Sequence, residues 1–135
     1  MKISGQKEGC VVTGAAGFVG SHLAQRLLSL DYTVVGIDNF FSGHRENMNG
    51  FADHPSFTFY ERSIAEPDLL GQLKKHHPEL DTCFHLAAIV SVPYSVDHPE
   101  ETMALNHRAT LSLLDEAEEL GFKKFVFAEI GRAHV

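Results

Sequence analysis

The chain has no hydrophobic run approaching the ~18 residues that a membrane-spanning helix needs. Its first eight residues lack the apolar core of a secretory signal peptide. Positive charge is also scarce, since 11 Lys and Arg stand against 18 Asp and Glu, for a formal net charge of −7. The basic residues are scattered, which argues against a broad basic face for nucleic acid or an anionic membrane. We therefore expect a soluble, cytoplasmic protein with no nucleic-acid or membrane partner.

Cysteine is rare, and the nine histidines form no pattern of metal ligands. Cys10 and Cys83 both fall in strand-like apolar stretches, where a cysteine serves as a small buried residue, so we expect reduced thiols and no disulfide. His76 and His77 are adjacent in a predicted helix and point in different directions. No Cys or carboxylate spacing adds the further ligands that a metal needs. We expect solvated histidines here and no metal site.

Residues 13–20 read Thr-Gly-Ala-Ala-Gly-Phe-Val-Gly, between an apolar stretch at 10–12 and leucines at helical spacing. Gly14 permits a tight turn after a strand, Gly17 removes a Cβ that would obstruct a phosphate, and Gly20 lets the following helix approach the sheet. The N-terminus of that helix favours an anion through its unpaired N–H groups and its dipole. The run predicts a cradle for a dinucleotide pyrophosphate, although glycines also mark ordinary turns.

A second apolar strand at 33–37 ends at Asp38, 18 residues after Gly20. A carboxylate at this point accepts hydrogen bonds from the hydroxyls of an adenosine ribose and repels a 2′-phosphate. The pattern therefore predicts NAD rather than NADP. The alternative is that Asp38 is a helix cap or a turn acid beside Asn39.

Strand and helix patterns alternate through the rest of the chain. Strands are predicted at 57–60, 82–86 and 124–128, and helices at 67–76 and 100–120. The last helix places Leu105, Leu111, Leu113, Leu114 and Ala117 on a broad apolar surface. This alternation requires a parallel sheet with helices on its faces, and ligands then lie beyond the carboxyl ends of the strands. We expect an α/β domain over residues 1–128.

With these residues in view, the chain resembles the extended short-chain dehydrogenase/reductase family, the NAD-dependent epimerases and dehydratases that act on nucleotide sugars. The resemblance runs from about Cys10 to Ala128. It rests on Thr-Gly-x-x-Gly-x-x-Gly at 13–20, Asp38-Asn39, His85-Leu86-Ala87-Ala88, and Asn106 with Thr110. Residues 38–43 and 90–96 look most like the UDP-sugar 4-epimerase branch, with UDP-glucuronate decarboxylases and 4,6-dehydratases as close neighbours. The fold implied is a Rossmann-type, doubly wound parallel sheet, truncated after about the fifth strand.

The resemblance implies which residues surround the cofactor. It places Phe18 and Val19 along the pyrophosphate, residues 38–43 around the adenosine ribose, and residues 86–88 on the nicotinamide side. Asn106 would position the cofactor or the catalytic framework, and the alternative is that it bonds the backbone of its own helix. The expected cofactor-binding residues are Gly14, Gly17, Phe18, Val19, Gly20, Asp38, Asn39, Phe40, Ser42, Gly43, Ser63, Ile64, Leu86, Ala87, Ala88 and Asn106.

Two of these expectations carry alternatives or departures. Ala87 and Ala88 leave room for a flat cofactor, but small residues also permit helix packing against the sheet. Relatives usually carry Asp followed by Ile after the third strand, whereas this chain has Ser63 and Ile64, so the adenine amino group loses a charged acceptor. His85, at a strand end, is expected to be a packed, hydrogen-bonded histidine rather than an acid or a base.

The catalytic residues that the resemblance implies are missing. Relatives oxidise a sugar hydroxyl with a Tyr from a Tyr-x-x-x-Lys motif as the base. The residues four positions after Tyr32, Tyr60 and Tyr94 are Gly, Ile and His, so no catalytic residue is assigned. The parent protein is expected to be an enzyme that acts on a nucleotide sugar, and a non-catalytic NAD-sensing module is the alternative.

The last seven residues, 129–135, place Glu129 where relatives have a serine. They also match the in-frame translation of a common sequencing-library adapter. We hypothesise a non-native tail on a truncated gene model, against the alternative of a true short C-terminus; the source nucleotide read would decide. Relatives usually pair through helices on the sheet face, so a homodimer is expected for the parent. The fifth strand is expected to form an exposed edge around Phe125 and Phe127.

Overall fold

The computed structural model describes residues 8–87 and 97–128 of the 135-residue chain. In this part of the chain, strands and helices alternate as predicted. The strands are β1 (Gly9–Thr13), β2 (Thr33–Asp38), β3 (Phe57–Glu61), β4 (Leu80–His85) and β5 (Lys124–Phe127). The helices are α1 (Phe18–Ser29), α2 (Leu69–His76) and α3 (Pro99–Glu119), with a 3₁₀ turn at Arg45–Met48.

The five strands form one parallel sheet in the order β3-β2-β1-β4-β5. The chain first moves outward from β1 to β3, and then crosses back to β4 on the other side of β1. This reversal is the topological switch point of a doubly wound fold, where a crevice opens beyond the carboxyl ends of β1 and β4. The predicted fold class is confirmed, and the glycine turn after β1 lies at this crevice.

Two hydrophobic cores cover the two faces of the sheet, because successive strand residues point to opposite sides. Val11 and Cys83 belong to a core that α2 and α3 cover, through side chains such as Leu73 and Leu113. Cys10, Val12 and Val34 belong to the other core, which α1 and the 3₁₀ turn cover. All five residues of β1 are buried, as a central parallel strand requires.

The two cysteines are free and buried in these opposite cores. Burial raises the pKa of both Cys10 and Cys83 to about 12, so both are protonated thiols at neutral pH. The expectation that both cysteines serve as small buried residues is confirmed.

Helix α3 differs from its sequence prediction in the extent of its buried face. Leu113 and Ala117 are buried against the sheet, whereas Leu111 and Leu114 are 47% and 41% exposed. Successive helical residues are about 100° apart, so neighbours such as Leu113 and Leu114 do not share one face. The prediction of one broad apolar surface was therefore wrong, and α3 instead has a buried stripe and a separate exposed apolar face.

Helix α2 also begins two residues later than predicted, at Leu69. Asp68 precedes it with φ of +58°, a left-handed conformation that cannot continue into a helix. No helix within residues 8–87 and 97–128 is both long and apolar enough to cross a membrane. Within the same ranges, no three His, Cys, Asp or Glu side chains come together as metal ligands do.

Strand β5 lies at one edge of the sheet, as expected. Phe127 is 51% exposed there, whereas Phe125 packs partly against the core of α2 and α3. The expectations for Tyr94, for residues 90–96 and for the tail at 129–135 lie outside the described residues.

Candidate functional site

The turn between β1 and α1 is as tight as its glycines predict. Gly14 has φ of +75°, and a Cβ there would lie 3.0 Å from the backbone nitrogen of Ala87. A Cβ on Gly17 would lie 3.2 Å from the carbonyl oxygen of Gly14. A Cβ on Gly20 would overlap that same oxygen, so the first turn of α1 packs directly on the chain leaving β1. Gly20 is therefore required by contact and Gly14 by its backbone conformation, whereas a side chain at Gly17 would need only a small shift of its neighbour.

The N-terminus of α1 has free hydrogen-bond donors. Gly17 is its N-cap and offers no side-chain acceptor, and no acidic residue lies in the first turn. Within residues 8–87 and 97–128, no acceptor takes the backbone N–H groups of Phe18, Val19 or Gly20, and the first helical bond runs from Ser21 N–H to Gly17 O. The side chains of Phe18 and Val19 are 76% and 52% exposed. Such a helix end is suited to an anionic ligand.

The carboxylate of Asp38 lies beside this turn and is almost completely buried. Its Oδ2 accepts the Ala16 N–H at 2.9 Å, and its Oδ1 accepts the Phe40 N–H at 2.8 Å. A carboxylate has about four lone-pair sites, so two remain for further donors such as ribose hydroxyls. The bond to Phe40 is the turn-acid role considered as an alternative, and the two roles are compatible.

The loop after β2 also holds the glycine turn, through Ala16. The carbonyl oxygen of Ala16 accepts the His44 N–H at 3.0 Å and the Asn47 side-chain amide at 2.8 Å. Gly43 makes this approach possible, since a Cβ there would lie 2.9 Å from the Ala16 carbonyl carbon. Asn47 was not among the predicted residues, because nothing in the sequence links a loop amide to a turn 31 residues earlier.

Phe40 and Arg45 form one wall next to Asp38. Phe40 adopts φ of +60°, and its ring packs on Phe59 with centroids 5.4 Å apart. The Arg45 guanidinium lies 4.5 Å from the Phe40 ring centroid and 3.5 Å from the Glu61 carboxylate. Arg45 is a second residue that sequence reasoning missed, because its partners come from two other segments, the turn after β2 and strand β3.

The ends of β1 and β4 are joined by side chains. Thr13 Oγ1 accepts the N–H groups of Leu86 and Ala87 at 2.9 and 3.0 Å and lies 2.7 Å from His85 Nδ1. His85 Nε2 in turn lies 3.0 Å from Thr110 Oγ1 on α3. Burial lowers the pKa of His85 to about 4, so it is neutral at pH 7. His85 is confirmed as a packed, hydrogen-bonded histidine.

The remaining predicted residues lie farther from this centre or make internal bonds. Ser63 donates its N–H to Glu66 and accepts the Ala65 N–H at 3.1 Å, and Ile64 is buried in the core. Asn106 donates its amide to Thr102 O at 3.0 Å, which is the alternative considered for it. Asn39 accepts the Phe41 N–H, Ser42 is exposed, and Ala88 lies outside the described residues.

Part of the predicted set thus lies together beyond the carboxyl ends of β1, β2 and β4. The glycine turn contacts the segment after β2 through Asp38 and Gly43, and the segment after β4 through Ala87. Free N–H groups, a buried carboxylate and a small-residue wall suit a pyrophosphate, a ribose and a flat ring respectively. The fold and the site define a dinucleotide-binding domain of the Rossmann class.

The sequence matches the NAD dependent epimerase/dehydratase family over residues 10–129, and the chain belongs to that family. It is 40% identical over 121 residues to a UDP-glucose 4-epimerase from Mycolicibacterium smegmatis, covering 90% of this chain. It is 39% identical over 111 residues to UDP-glucuronic acid decarboxylase 2 from Arabidopsis thaliana, covering 82% of this chain. The fold is similar to that of UDP-glucose 4-epimerase from Thermotoga maritima, solved with UDP-glucose, at a TM-score of 0.74 and 37% identity over 88% of this chain.

The chain spans only part of these proteins. It covers 38% of the Mycolicibacterium epimerase, 23% of the Arabidopsis decarboxylase and 37% of the Thermotoga structure. The family match confirms the expected resemblance. It also confirms the expected cofactor, since the family is NAD-dependent.

Proposed function

We propose that the chain is the NAD-binding half of a nucleotide-sugar enzyme, of the UDP-sugar 4-epimerase type. The observation that carries the proposal is the N-terminus of α1, where the N–H groups of Phe18, Val19 and Gly20 have no acceptor within the described ranges. Three open donors beside a glycine turn can bind an anion such as a pyrophosphate. The family match supports NAD as the molecule that contains this pyrophosphate.

Each part of the crevice has a separate task in this proposal. The first turn of α1 binds the pyrophosphate, the free lone pairs of Asp38 accept the ribose hydroxyls, and Leu86 and Ala87 line the nicotinamide side. When bound, NAD supplies hydride acceptance and return for a sugar carbon. The chain's own residues bind, orient and enclose the cofactor.

The preference for NAD over NADP rests on Asp38. The Asp38 carboxylate accepts two N–H groups and has lone pairs left for ribose hydroxyls, and a 2′-phosphate placed there would be repelled. Arg45 is a cation on this wall, and its guanidinium contacts Phe40 and Glu61.

We propose that the chain by itself does not turn over a substrate. The described tyrosines are poorly suited to be a base, since the Tyr60 hydroxyl lies 2.8 Å from His77 Nε2 and Tyr32 packs on the core beneath α1. His85 is a poor acid or base, because both ring nitrogens are engaged and it is buried. Proton transfer in the parent enzyme would then depend on residues other than these.

Titration of NAD and NADP into the folded 135-residue chain tests the cofactor proposal. Calorimetry is expected to give saturable binding of NAD and much weaker binding of NADP, with circular dichroism confirming the fold. A folded chain that binds neither nucleotide would refute the proposal. Equal affinity for both would refute the role of Asp38 alone.

The proposed lack of turnover is tested separately, and the reaction type of the parent has more than one candidate. The decarboxylase match keeps UDP-glucuronate decarboxylation as a second candidate for the parent, and the family name includes 4,6-dehydration. Incubation of the chain with NAD and UDP-galactose is expected to give no UDP-glucose, and detectable turnover would refute the proposed inactivity. An NAD-sensing module is the alternative, and an intact parent gene without a downstream Tyr-x-x-x-Lys motif would favour it.

Two further features of the parent are part of the proposal. A homodimer is supported by the exposed apolar face of α3, formed by Met103, Leu111 and Leu114. A cytoplasmic location is supported by the two free cysteines, which suit a reducing compartment.

A further inference from the structure

The Thr13 hydroxyl is the meeting point of three groups at the carboxyl end of β1. The N–H groups of Leu86 and Ala87 lie 2.9 and 3.0 Å from Oγ1, and His85 Nδ1 lies 2.7 Å from it. The Leu86 N–H also approaches the Thr13 carbonyl oxygen at 3.3 Å, so the hydroxyl is its nearer partner. Thr13 is fully buried, and its hydroxyl is therefore held by these protein groups.

Counting protons assigns the direction of each bond. A hydroxyl has one proton and two lone pairs, and a backbone N–H can only donate. The two N–H groups occupy both lone pairs, so the Thr13 proton is donated to His85 Nδ1. Nδ1 must therefore be unprotonated. The imidazole proton lies on Nε2, which donates it to Thr110 Oγ1 at 3.0 Å. The contacts thus specify a single neutral tautomer.

We infer that His85 is a positioning residue for the NAD site: its bare Nδ1 holds the Thr13 hydroxyl in the orientation that ties Leu86 and Ala87 to the glycine turn. The inference rests on the proposed function. Ala87 N lies only 3.0 Å from where a Gly14 Cβ would be, so a shift of this segment changes the wall beside the turn. Without Nδ1, the Thr13 proton needs another acceptor, and rotation towards one turns a lone pair away from Leu86 or Ala87.

The surroundings of His85 keep this tautomer in place. The rings of Phe125 and Phe127 lie 6.2 and 5.4 Å from the imidazole, and the Phe127 ring is nearly parallel to it. Thr13 and Thr110 take its two nitrogens, so the groups that face it from β1, β5 and α3 carry no charge. Burial alone lowers the pKa of His85.

Two substitutions of His85 separate positioning from packing. In His85→Asn, the side-chain oxygen stands near the place of Nδ1 and can still accept the Thr13 proton, although more of the ring is lost. In His85→Gln, the longer side chain can place its amide near Nε2 and Thr110, but it leaves Thr13 without its acceptor. Packing therefore predicts the greater loss of thermal stability for Asn, whereas positioning predicts the greater loss of NAD affinity for Gln.

We expect His85→Gln to bind NAD roughly five- to tenfold more weakly than the wild type, which is the loss of one buried hydrogen bond. We expect His85→Asn to remain within about threefold of the wild type. Thr13→Val should weaken binding as Gln does, and Thr13→Ser should restore it. Thr33→Val is the matched control, because Thr33 also has a bonded hydroxyl but lies at the amino end of β2, where it bonds Glu8 and Glu79.

Calorimetric titration of NAD, thermal unfolding of each variant and nitrogen NMR of ¹⁵N-histidine-labelled wild type complete the test. The NMR spectrum is expected to show a bare Nδ1 and a protonated Nε2 for His85, and a proton on Nδ1 would overturn the inference even if no variant folded. The inference would also be overturned if the NAD affinities of His85→Asn and His85→Gln ranked in the same order as their thermal stabilities. That result would leave the proposed function standing. A folded wild type that binds no NAD would overturn both.

Discussion

Gly20 shows how strictly a single residue is determined at this site. A Cβ there would overlap the carbonyl oxygen of Gly14, which is backbone and cannot move without opening the turn. We predict that Gly20→Ala destabilises the fold by about 1–3 kcal/mol, as overpacking does, and abolishes NAD binding. Urea unfolding and NAD titration measure the two effects.

Gly50→Ala is the control for this substitution. Its nearest atom would be the Gln25 side-chain amide nitrogen at 3.7 Å, which is ordinary contact. This variant should keep the wild-type affinity and lose no stability, since Ala also restricts the unfolded chain. If Gly20→Ala bound NAD as tightly as Gly50→Ala does, the close approach of α1 to the turn would be unimportant.

Asp38 connects local structure to cofactor choice. In Asp38→Asn, one of the two oxygens becomes an NH₂ group, so either the Ala16 N–H or the Phe40 N–H loses its acceptor. We expect roughly tenfold or greater loss of NAD affinity, the size of a lost hydrogen bond to a charged group. The ratio of NADP to NAD affinity should rise, because the repelling charge is gone.

Asp31→Asn is the charge-matched control for Asp38→Asn. Asp31 is exposed between α1 and β2, at the amino end of β2 and so opposite the crevice, and its φ of +68° is one that Asn tolerates. Titrations of both nucleotides into both variants measure the effect. A change in the NADP to NAD ratio that is as large in Asp31→Asn would show that net charge, rather than the ribose position, sets the preference.

At the scale of elements, α2 depends on a side chain from another helix. Its N-cap residue, Asp68, makes no capping bond, and the Leu70 N–H is instead accepted by Glu116 Oε1 of α3 at 2.9 Å. Partial burial raises the pKa of Glu116, and the bond from Leu70 opposes that shift. The carboxylate thus caps α2, but its partial burial disfavours the charged form.

We predict opposite effects for two substitutions of Glu116. Glu116→Ala removes the cap and should cost about 1 kcal/mol of unfolding free energy. Glu116→Gln keeps an oxygen for Leu70 without the charge, so it should equal or exceed the wild type at neutral pH. Because the folded pKa is raised, the wild type should lose stability relative to Gln as pH rises from the ordinary Glu value of 4.5 through the folded pKa.

Urea unfolding of wild type, Ala and Gln across this pH range measures the prediction. The difference between wild type and Gln should be smallest at the acid end, where both side chains are neutral. A difference that grew on acidification would mean that the charged form is the stabilising one.

The elements that could be predicted from the sequence are those determined by neighbours along the chain. The glycine turn, α1 and the strand ending at Asp38 carry their signals within about 30 residues, and all three are where they were expected. Glu116 capping Leu70 and Asn47 bonding Ala16 join residues 46 and 31 positions apart, and neither side chain has a local signal. The buried face of α3 could not be predicted for a similar reason, because the periodicity of its leucines does not say which of them pack against the sheet.

At the scale of the whole molecule, the described part of the chain exposes apolar side chains on α3 and on β5, besides single residues such as Leu30. The face of α3 is formed by Met103, Leu111 and Leu114, which are 66%, 47% and 41% exposed. On the edge strand β5, Val126 is 42% exposed. Exposed apolar faces and open strand edges both promote association, but through different contacts.

We predict that self-association occurs through α3. The double variant Leu111→Gln and Leu114→Gln should shift the chain towards monomer in sedimentation-velocity experiments, because it makes two central side chains of that face polar. Neither side chain is buried, so the free energy of unfolding should change by less than about 0.5 kcal/mol. Val126→Gln makes the matched change on β5 and should leave the sedimentation profile unchanged if α3 is the contact. If only Val126→Gln shifted the chain towards monomer, the edge strand β5 would be the interface. Association would then proceed by addition of strands rather than by pairing of helices.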